Sequence, residues 1–518
     1  MRPIRPVRLA TTLLLFIVTF TRPGLGQARG NGADLKGLDE AIAAMMAEFH
    51  VPGVGVGIIR DGQVVLAKGY GLRDVEANTP VTPRTLFAIG SNSKSFTTVL
   101  LAMLVDEKKI EWNKPVRTWL PDFELKDPYA TREMTPQDLV SHVSGLPRHD
   151  GLWYGRSFTR QELYKRLKYL EPNQSFRNLW QYQNLMFLTA GVLVERITGQ
   201  TWEQQLQSRI FTPLGMSRAN ASANDLPKAD DFSWAYDYRD GKVQKIPYRN
   251  IDQVGPAGSI NASVEDMLKY VRFRIDYGKV GDKQLVSARQ DSMMQRPRAV
   301  VPGGWTFQGT TEVGPDTYGL GLAVTSYRGH KLVMHGGGID GFISQMAWLP
   351  QEKVGLVVLS NSTNSAGGGN PLPNALTFHI MDRMLGLSRL DWFARAKAQT
   401  VRGDSIQKAR RAADLKDRVA GTRPSHALDG YAGRYEHPGY GVLEIRRGAQ
   451  GLEVVLDTHN APLTHVHYDA FEVVPGTPQG GMLQNVRFTF GMDAKGAINT
   501  VSAPLEPSVA PIQFTRMK

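Results

Sequence analysis

The sequence predicts an α+β fold: an antiparallel sheet flanked by helices and split by a helical insertion, followed by a C-terminal all-β, barrel-like domain. Three observations carry this. A hairpin pattern near the start and four strand-like runs after Tyr318 bracket a mainly helical stretch from Ser91 to Lys279. Residues 426–518 then return to short strands at regular spacing. At 518 residues the chain exceeds one ordinary core, so several domains are expected. A sheet assembled from both ends of one domain places an active site at its seam with the insertion.

Taken in order, residues 1–26 read as a secretory signal peptide. Arg2, Arg5 and Arg8 precede the apolar run Leu9–Phe20, Pro23-Gly24 breaks it, and small residues reach Gly26. The run is shorter than the roughly 20 residues of a membrane-spanning helix. The mature protein is therefore expected to be exported and soluble, in the periplasm or secreted. Residues 34–386 read as the first domain. It opens with an amphipathic helix, Leu35–Phe49, and a hairpin of Gly55–Ile59 and Val64–Leu66 around Asp61-Gly62. Helices are predicted over Ser93–Asp106, from a Thr135–Asp138 capping box with Pro136 in its first turn, over Met186–Ile197 ending at Gly199, and from Ser263. Strands Gly319–Val324, Lys331–Met334, Phe342–Leu349 and Val354–Leu359, with a helix Ala375–Leu385, close the domain. Residues 387–425 read as a charged helical linker with a mostly solvated face. Val442–Ile445, Leu452–Leu456, Phe471–Val474 and Val486–Phe490 are the strands of the last domain, residues 426–518.

Composition excludes several functions. With no cysteine there is no thiol nucleophile, no thiolate zinc site and no lipid-modified cysteine, so a lipoprotein is ruled out. The formal charge is +12, and loss of the four arginines of residues 1–26 leaves +8. That surplus gathers between Arg389 and Arg423 and not in one folded patch, and neither a basic stripe with interleaved aromatics nor a recognition motif is present, which argues against nucleic-acid binding and predicts only a weak attraction to anionic envelope surfaces.

The chemistry begins at Ser91-Asn92-Ser93-Lys94. A spacing of three puts Ser91 and Lys94 on one helix face, one turn apart. A serine hydroxyl becomes a nucleophile when a neighbouring base takes its proton, and a desolvated lysine can be that base. The competing reading makes Ser91 a helix cap and Lys94 a solvated charge. Tyr182-Gln183-Asn184 sits just before a helix, where a phenol can pass a proton and a carboxamide can bind Lys94 or a substrate amide; alone it is also a common turn and cap. His335-Gly336-Gly337-Gly338 ends a strand, and one of its N–H groups with that of Ser91 can form an oxyanion hole; alone it is also a glycine-rich turn.

Taken together and in this order, the three motifs resemble the class C β-lactamase and penicillin-binding family of serine hydrolases. Phe87-Ala88-Ile89-Gly90-Ser91-Asn92-Ser93-Lys94-Ser95-Phe96-Thr97 resembles the family's nucleophile segment. Leu139-Val140-Ser141-His142-Val143-Ser144-Gly145-Leu146-Pro147 resembles its Leu-Leu-x-His-x-Ser-Gly-Leu segment, and His335 to Phe342 its His-x-Gly strand. The resemblance covers roughly Asp34 to Gly386. Tyr431–Tyr435 and Pro462–Phe471 resemble the lipocalin-like domain appended to many such hydrolases.

The resemblance implies a β-lactamase/transpeptidase-like fold, acylation of Ser91, Lys94 and Tyr182 as the acid/base pair, and oxyanion N–H groups from Ser91 and Gly338. It makes Asn184, His335, Gly336 and Gly337 substrate-side residues. It implies no metal or organic cofactor. His335 stands where many members carry lysine; a neutral histidine presents little charge to a substrate carboxylate, which points away from penicillins. The expected substrate is a small molecule or short peptide, with a peptidase on short or D-residue-containing peptides ranked first. An esterase, a β-lactamase or a DD-carboxypeptidase remains open, as does a catalytically silent binding protein of the same fold. Two further clusters mimic functional sites. His142, Ser144 and Asp150 mimic a Ser-His-Asp set but are expected to form a structural turn. His459, His465 and His467 suggest a metal site but lack a carboxylate or cysteine at ligand spacing.

Overall fold

A computed structural model describes residues 34–239, 241–303, 310–364, 369–448, 451–474 and 477–518. The signal peptide read at residues 1–26 lies outside the described residues. Among the described residues no helix is long and apolar enough to cross a membrane.

The centre is a nine-stranded antiparallel sheet. Its strands in chain order are β1 (Gly53–Arg60), β2 (Gln63–Asp74), β3 (Thr79–Pro80), β4 (Ala299–Val300), β5 (Thr317–Tyr318), β6 (Ala323–Tyr327), β7 (His330–Ile339), β8 (Phe342–Leu349) and β9 (Val354–Ser360). Their spatial order is β4-β5-β6-β7-β8-β9-β1-β2-β3. β1 is thus flanked by β2 and by β9, with Val54 opposite Ser360 and Arg60 opposite Val354. The two ends of the domain share one sheet, as their separated strand patterns predict. The β1–β2 turn carries Asp61 and Gly62 at positive φ, the requirement of a two-residue hairpin.

Both faces of the sheet are covered, which is why β1 reads as a continuous apolar run rather than an alternating one. Helix α1 (Leu38–Glu48) and helix α5 (Leu372–Met384) cover one face, where Ile42, Val56 and Leu376 are fully buried. The other face receives α4 (Val264–Ile275) and, through it, the helical insertion with α2 (Ser93–Asp106) and α3 (Asn184–Thr198). Each fully buried aliphatic side chain contributes about 1.5–3 kcal/mol.

Some expectations shift. The capping box at Thr135 forms, with Asp138 returning the bond, but its helix stops at Leu139 because His142 turns left-handed at φ 62°. The Gly319–Val324 strand is broken: Gly319 to Leu322 leave the ladder, and the Gly321 N–H donates to Val140 O at 2.8 Å instead. The Lys331–Met334 strand continues through the glycines to Ile339.

Residues 392–416 form one helix, α6 (Trp392–Lys416). Its first turn is not solvated. Trp392 is fully buried against Phe378, ring centroids 4.8 Å apart, and its indole N–H donates to Asp382 at 3.0 Å. Its end is also engaged, since Arg411 and Arg418, from the helix and just beyond it, both donate to Glu472. The C-terminal strands close an eight-stranded barrel: β10 (Gly433–His437), β11 (Gly441–Arg447), β12 (Leu452–Leu456), β13 (His459–His467), β14 (Ala470–Val473), β15 (Arg487–Met492), β16 (Ile498–Ala503) and β17 (Ile512–Arg516). β10 pairs with β17 to complete the ring, which removes free edges.

Candidate active site

The nucleophile segment is a single 3₁₀ turn, Gly90–Asn92, leading into α2. The cap reading of Ser91 fails, because its Oγ lies 3.0 Å from Lys94 Nζ, as the one-turn spacing requires. Lys94 is fully buried, and its Nζ has two further partners, Asn184 Oδ1 and Ala257 O, each at 2.8 Å. Both of those oxygens only accept. A neutral lysine gives them its two N–H bonds and keeps its lone pair for the Ser91 hydroxyl. Burial pushes the Lys94 ammonium well below the ordinary lysine range; Arg148 pushes the same way and Asp150 opposes it.

Tyr182 and Asn184 reach the site because the residue between them caps α3: Gln183 Oε1 accepts from Leu185 N at 2.8 Å. The Tyr182 hydroxyl shares a hydrogen bond with Ser91. Its ring lies 4.7 Å from Lys94 Nζ and 4.9 Å from the Arg148 guanidinium carbon. Burial raises the phenol's pKa above its usual value, with Ser91 and Arg148 pulling it back.

Strand β7 supplies the opposite wall. β6 pairs with it only as far as Met334, whereas β8 pairs to Ile339, so the edge from His335 to Ile339 is left open toward the nucleophile turn. The glycines are dictated by that approach. A Cβ on Gly337 would overlap the Ile89 carbonyl, and Gly90, at φ 51°, lies so close that a Cβ there would sit 2.7 Å from Gly338 N. Gly336 is half-buried, Gly337 is buried and Gly338 is exposed, with the Gly338 N facing Gly90, the residue before Ser91.

His335 departs from a substrate-side role. It is 1% exposed, its Nδ1–H donates to Gly336 O at 2.6 Å, and its Nε2 accepts from Tyr318 Oη at 3.0 Å. Burial, reinforced by Lys94, lowers its pKa to about 3, so the ring is neutral. It braces the strand instead of facing a ligand. The Ser-His-Asp decoy dissolves in the same way. His142 Nδ1 accepts from Gln183 N at 3.0 Å, Ser144 Oγ accepts from Leu146 N at 3.3 Å, and Asp150 bonds Arg148, Trp153 and Asn184. The barrel histidines bind separate backbone oxygens or N–H groups: His459 with Tyr154 O, His465 with Tyr468 O, and His467 with Val419 N.

Sequence reasoning missed Tyr318, Ala257, Ser344 and Arg148; that the C-terminal module docks against the site or shapes access to it is expected from the sequence, but not through which residues. Ser344 Oγ donates to Ile89 O and accepts from Asn92 Nδ2, both at 2.8 Å, pinning the nucleophile turn to β8. The barrel docks on residues 149–166. Glu506 accepts from His149 N at 2.7 Å, Tyr440 Oη meets His149 Nδ1 at 2.9 Å, and Asp457 accepts from Ser157 N at 2.7 Å. A cavity of about 360 Å³ lies between the two domains at Tyr182, lined by Arg148 and Tyr182 on one side and by Met482, Leu505, Glu506 and Ser508 of the barrel on the other.

Comparison with known proteins places the chain in a family and a fold. The family model described as Beta-lactamase matches residues 38–376, and one described as a domain of unknown function, DUF3471, matches residues 417–516. The chain is 29% identical to the unguisins hydrolase ungD' of Aspergillus campestris over 424 residues, covering 78% of this chain and 76% of that protein. It is 30% identical to a D-aminopeptidase of Gluconobacter oxydans over 338 residues, 64% of this chain and 59% of that protein. The fold matches that of an octameric penicillin-binding protein homologue from Pyrococcus abyssi, with TM-score 0.59 and 23% identity over 93% of this chain and 100% of the other.

Proposed function

The chain belongs to the beta-lactamase family and is a serine hydrolase of that fold; from that premise we propose that it cleaves amide bonds of short peptides, including peptides with D-residues, through an acyl-enzyme at Ser91. One observation carries the reading: the two acceptor-only partners of Lys94 leave its lone pair to Ser91 Oγ. In the first step Ser91 Oγ attacks the substrate carbonyl and its proton passes to Lys94, with Tyr182 beside it. The oxyanion is held by the Ser91 and Gly338 N–H groups. The proton then leaves through Tyr182 to the departing amine, and a water activated by the same pair releases the acid from Ser91. The open β7 edge beyond Met334 suits an extended peptide, which can lie along it as an added strand.

The choice of amide substrates rests on two supports. Relatives of the chain are named D-aminopeptidase and unguisins hydrolase, and the strand position that would answer a penicillin carboxylate holds a buried, neutral His335. On the leader-like residues 1–26 we place this activity outside the cytoplasm. The test is a panel of D- and L-aminoacyl p-nitroanilides, p-nitrophenyl esters and nitrocefin. Turnover of D-aminoacyl anilides ahead of the rest is expected; nitrocefin as the best substrate would refute the peptide assignment.

A further inference from the structure

We propose that Arg148 and Asp150 are positioning residues that set where the Ser91 proton resides. They close a circuit around the nucleophile. Arg148 Nε donates to Asp150 Oδ2 at 2.5 Å; Asn184 Nδ2 donates to Asp150 Oδ1 at 3.2 Å; Asn184 Oδ1 accepts from Lys94 at 2.8 Å. Lys94 and Arg148 then face the Tyr182 ring at 4.7 and 4.9 Å. One carboxamide is thereby fixed at both ends: its oxygen is turned to Lys94 because its nitrogen is held by Asp150. The proposal rests on Lys94 and Tyr182 being the proton carriers for Ser91.

The charges around this circuit are few. Helix α2 contributes Lys94, and the 142–150 segment contributes His142, Arg148, His149 and Asp150, with Tyr440 of the barrel against His149. β5 and β7 contribute Tyr318 and His335, and the barrel contributes Glu506, which faces Arg148. Burial keeps His142 and His335 neutral near pH 7. That leaves Arg148 disfavouring the ammonium of Lys94 and Asp150 favouring it. The pair acts as an opposed adjustment of one base. Arg148 is also half-exposed, 53% for its side chain, so it reaches this position from the mouth of the site and not from the core.

The two residues therefore have opposite signatures. The readout is the rate of covalent labelling by a fluorophosphonate across pH, on the full chain. Its acidic limb reports the base that takes the Ser91 proton. Arg148→Gln leaves Asp150 beside the circuit and is expected to move that limb up by about one pH unit; Asp150→Asn is expected to move it down by a similar amount. Arg148→Lys keeps the charge and loses the fork, so it slows labelling and leaves the limb in place. A purely structural role predicts slower labelling with unmoved limbs in all three, and that result, or shifts of the same sign, overturns the proposal. If Arg148→Gln does not fold, the downward shift of Asp150→Asn decides alone. Lys94→Ala separates the premises: labelling at the wild-type rate removes the base and the proposal with it, whereas lost labelling with unmoved limbs at positions 148 and 150 removes only the proposal.

Discussion

The floor of the site and its mouth are built on different terms. At the floor, Lys94 is fully buried, and its partners Ser91, Asn184 and Ala257 all belong to the insertion and its helix ends. At the mouth, Arg148 is half-exposed and the facing wall comes from the barrel, with Glu506 bonded to His149 across 357 residues of chain. A dry floor makes each proton transfer depend on a few fixed neighbours. The floor thus lies within one domain, whereas the mouth is shared with the barrel, and Arg148 links the two.

The sharpest way to break that division is at the floor. Ser91→Ala is expected to lower turnover by at least about 10⁴-fold and to abolish fluorophosphonate labelling; persistent labelling at another serine would show that the floor has been misassigned. Lys94→Ala is expected to slow acylation by about 10³-fold, the ordinary worth of a positioned base. Stopped-flow measurement of the acylation phase, with a thermal melt run alongside, separates that loss from unfolding.

The floor was also the legible part. Ser91 and Lys94 are one turn apart, Tyr182 and Asn184 straddle a helix cap, and the glycines after His335 end a strand, so each motif is local and has its own spacing rule. The sheet assembled from both ends was legible for the same reason, as hairpin and strand patterns at the two ends of one domain. What escaped was long-range. Tyr318 on His335, Ser344 on Ile89 and Glu506 on His149 join segments with no shared period, and Arg148 looks like any exposed cation until Tyr182 is placed under it. The missed break at Gly319–Leu322 has a similar origin: the alternation there is strand-like, but the Gly321 N–H is taken by Val140.

Mouth variants should behave differently from floor variants. Glu506 accepts two backbone N–H bonds, from His149 at 2.7 Å and from Ser508 at 3.0 Å. Glu506→Gln keeps the shape and can accept only one of them, a loss of about 1 kcal/mol in holding the wall. Steady-state kinetics on the best anilide should show KM rising by about fivefold with kcat nearly unchanged. A fall in kcat with constant KM would mean that the barrel reaches into the chemistry, and the two regions would not be separable.

Acid provides the smallest and most discriminating comparison. An unfolded histidine takes up its proton near pH 6.5, whereas buried His335 resists until about pH 3. Its contribution to stability is therefore complete above pH 6.5 and is lost progressively as pH falls toward 3. Between pH 7.5 and 6.0 the loss is about 0.8 kcal/mol. His335→Gln, which cannot titrate, should make unfolding by denaturant less sensitive to that pH change by the same amount. His149 is pushed in the same direction by burial at the seam with the barrel, and His149→Gln tests the mouth in the same experiment. If floor and mouth unfold as one cooperative unit, both substitutions flatten the pH dependence of the same transition. If the barrel releases first, His149→Gln changes only the earlier transition and His335→Gln only the later one.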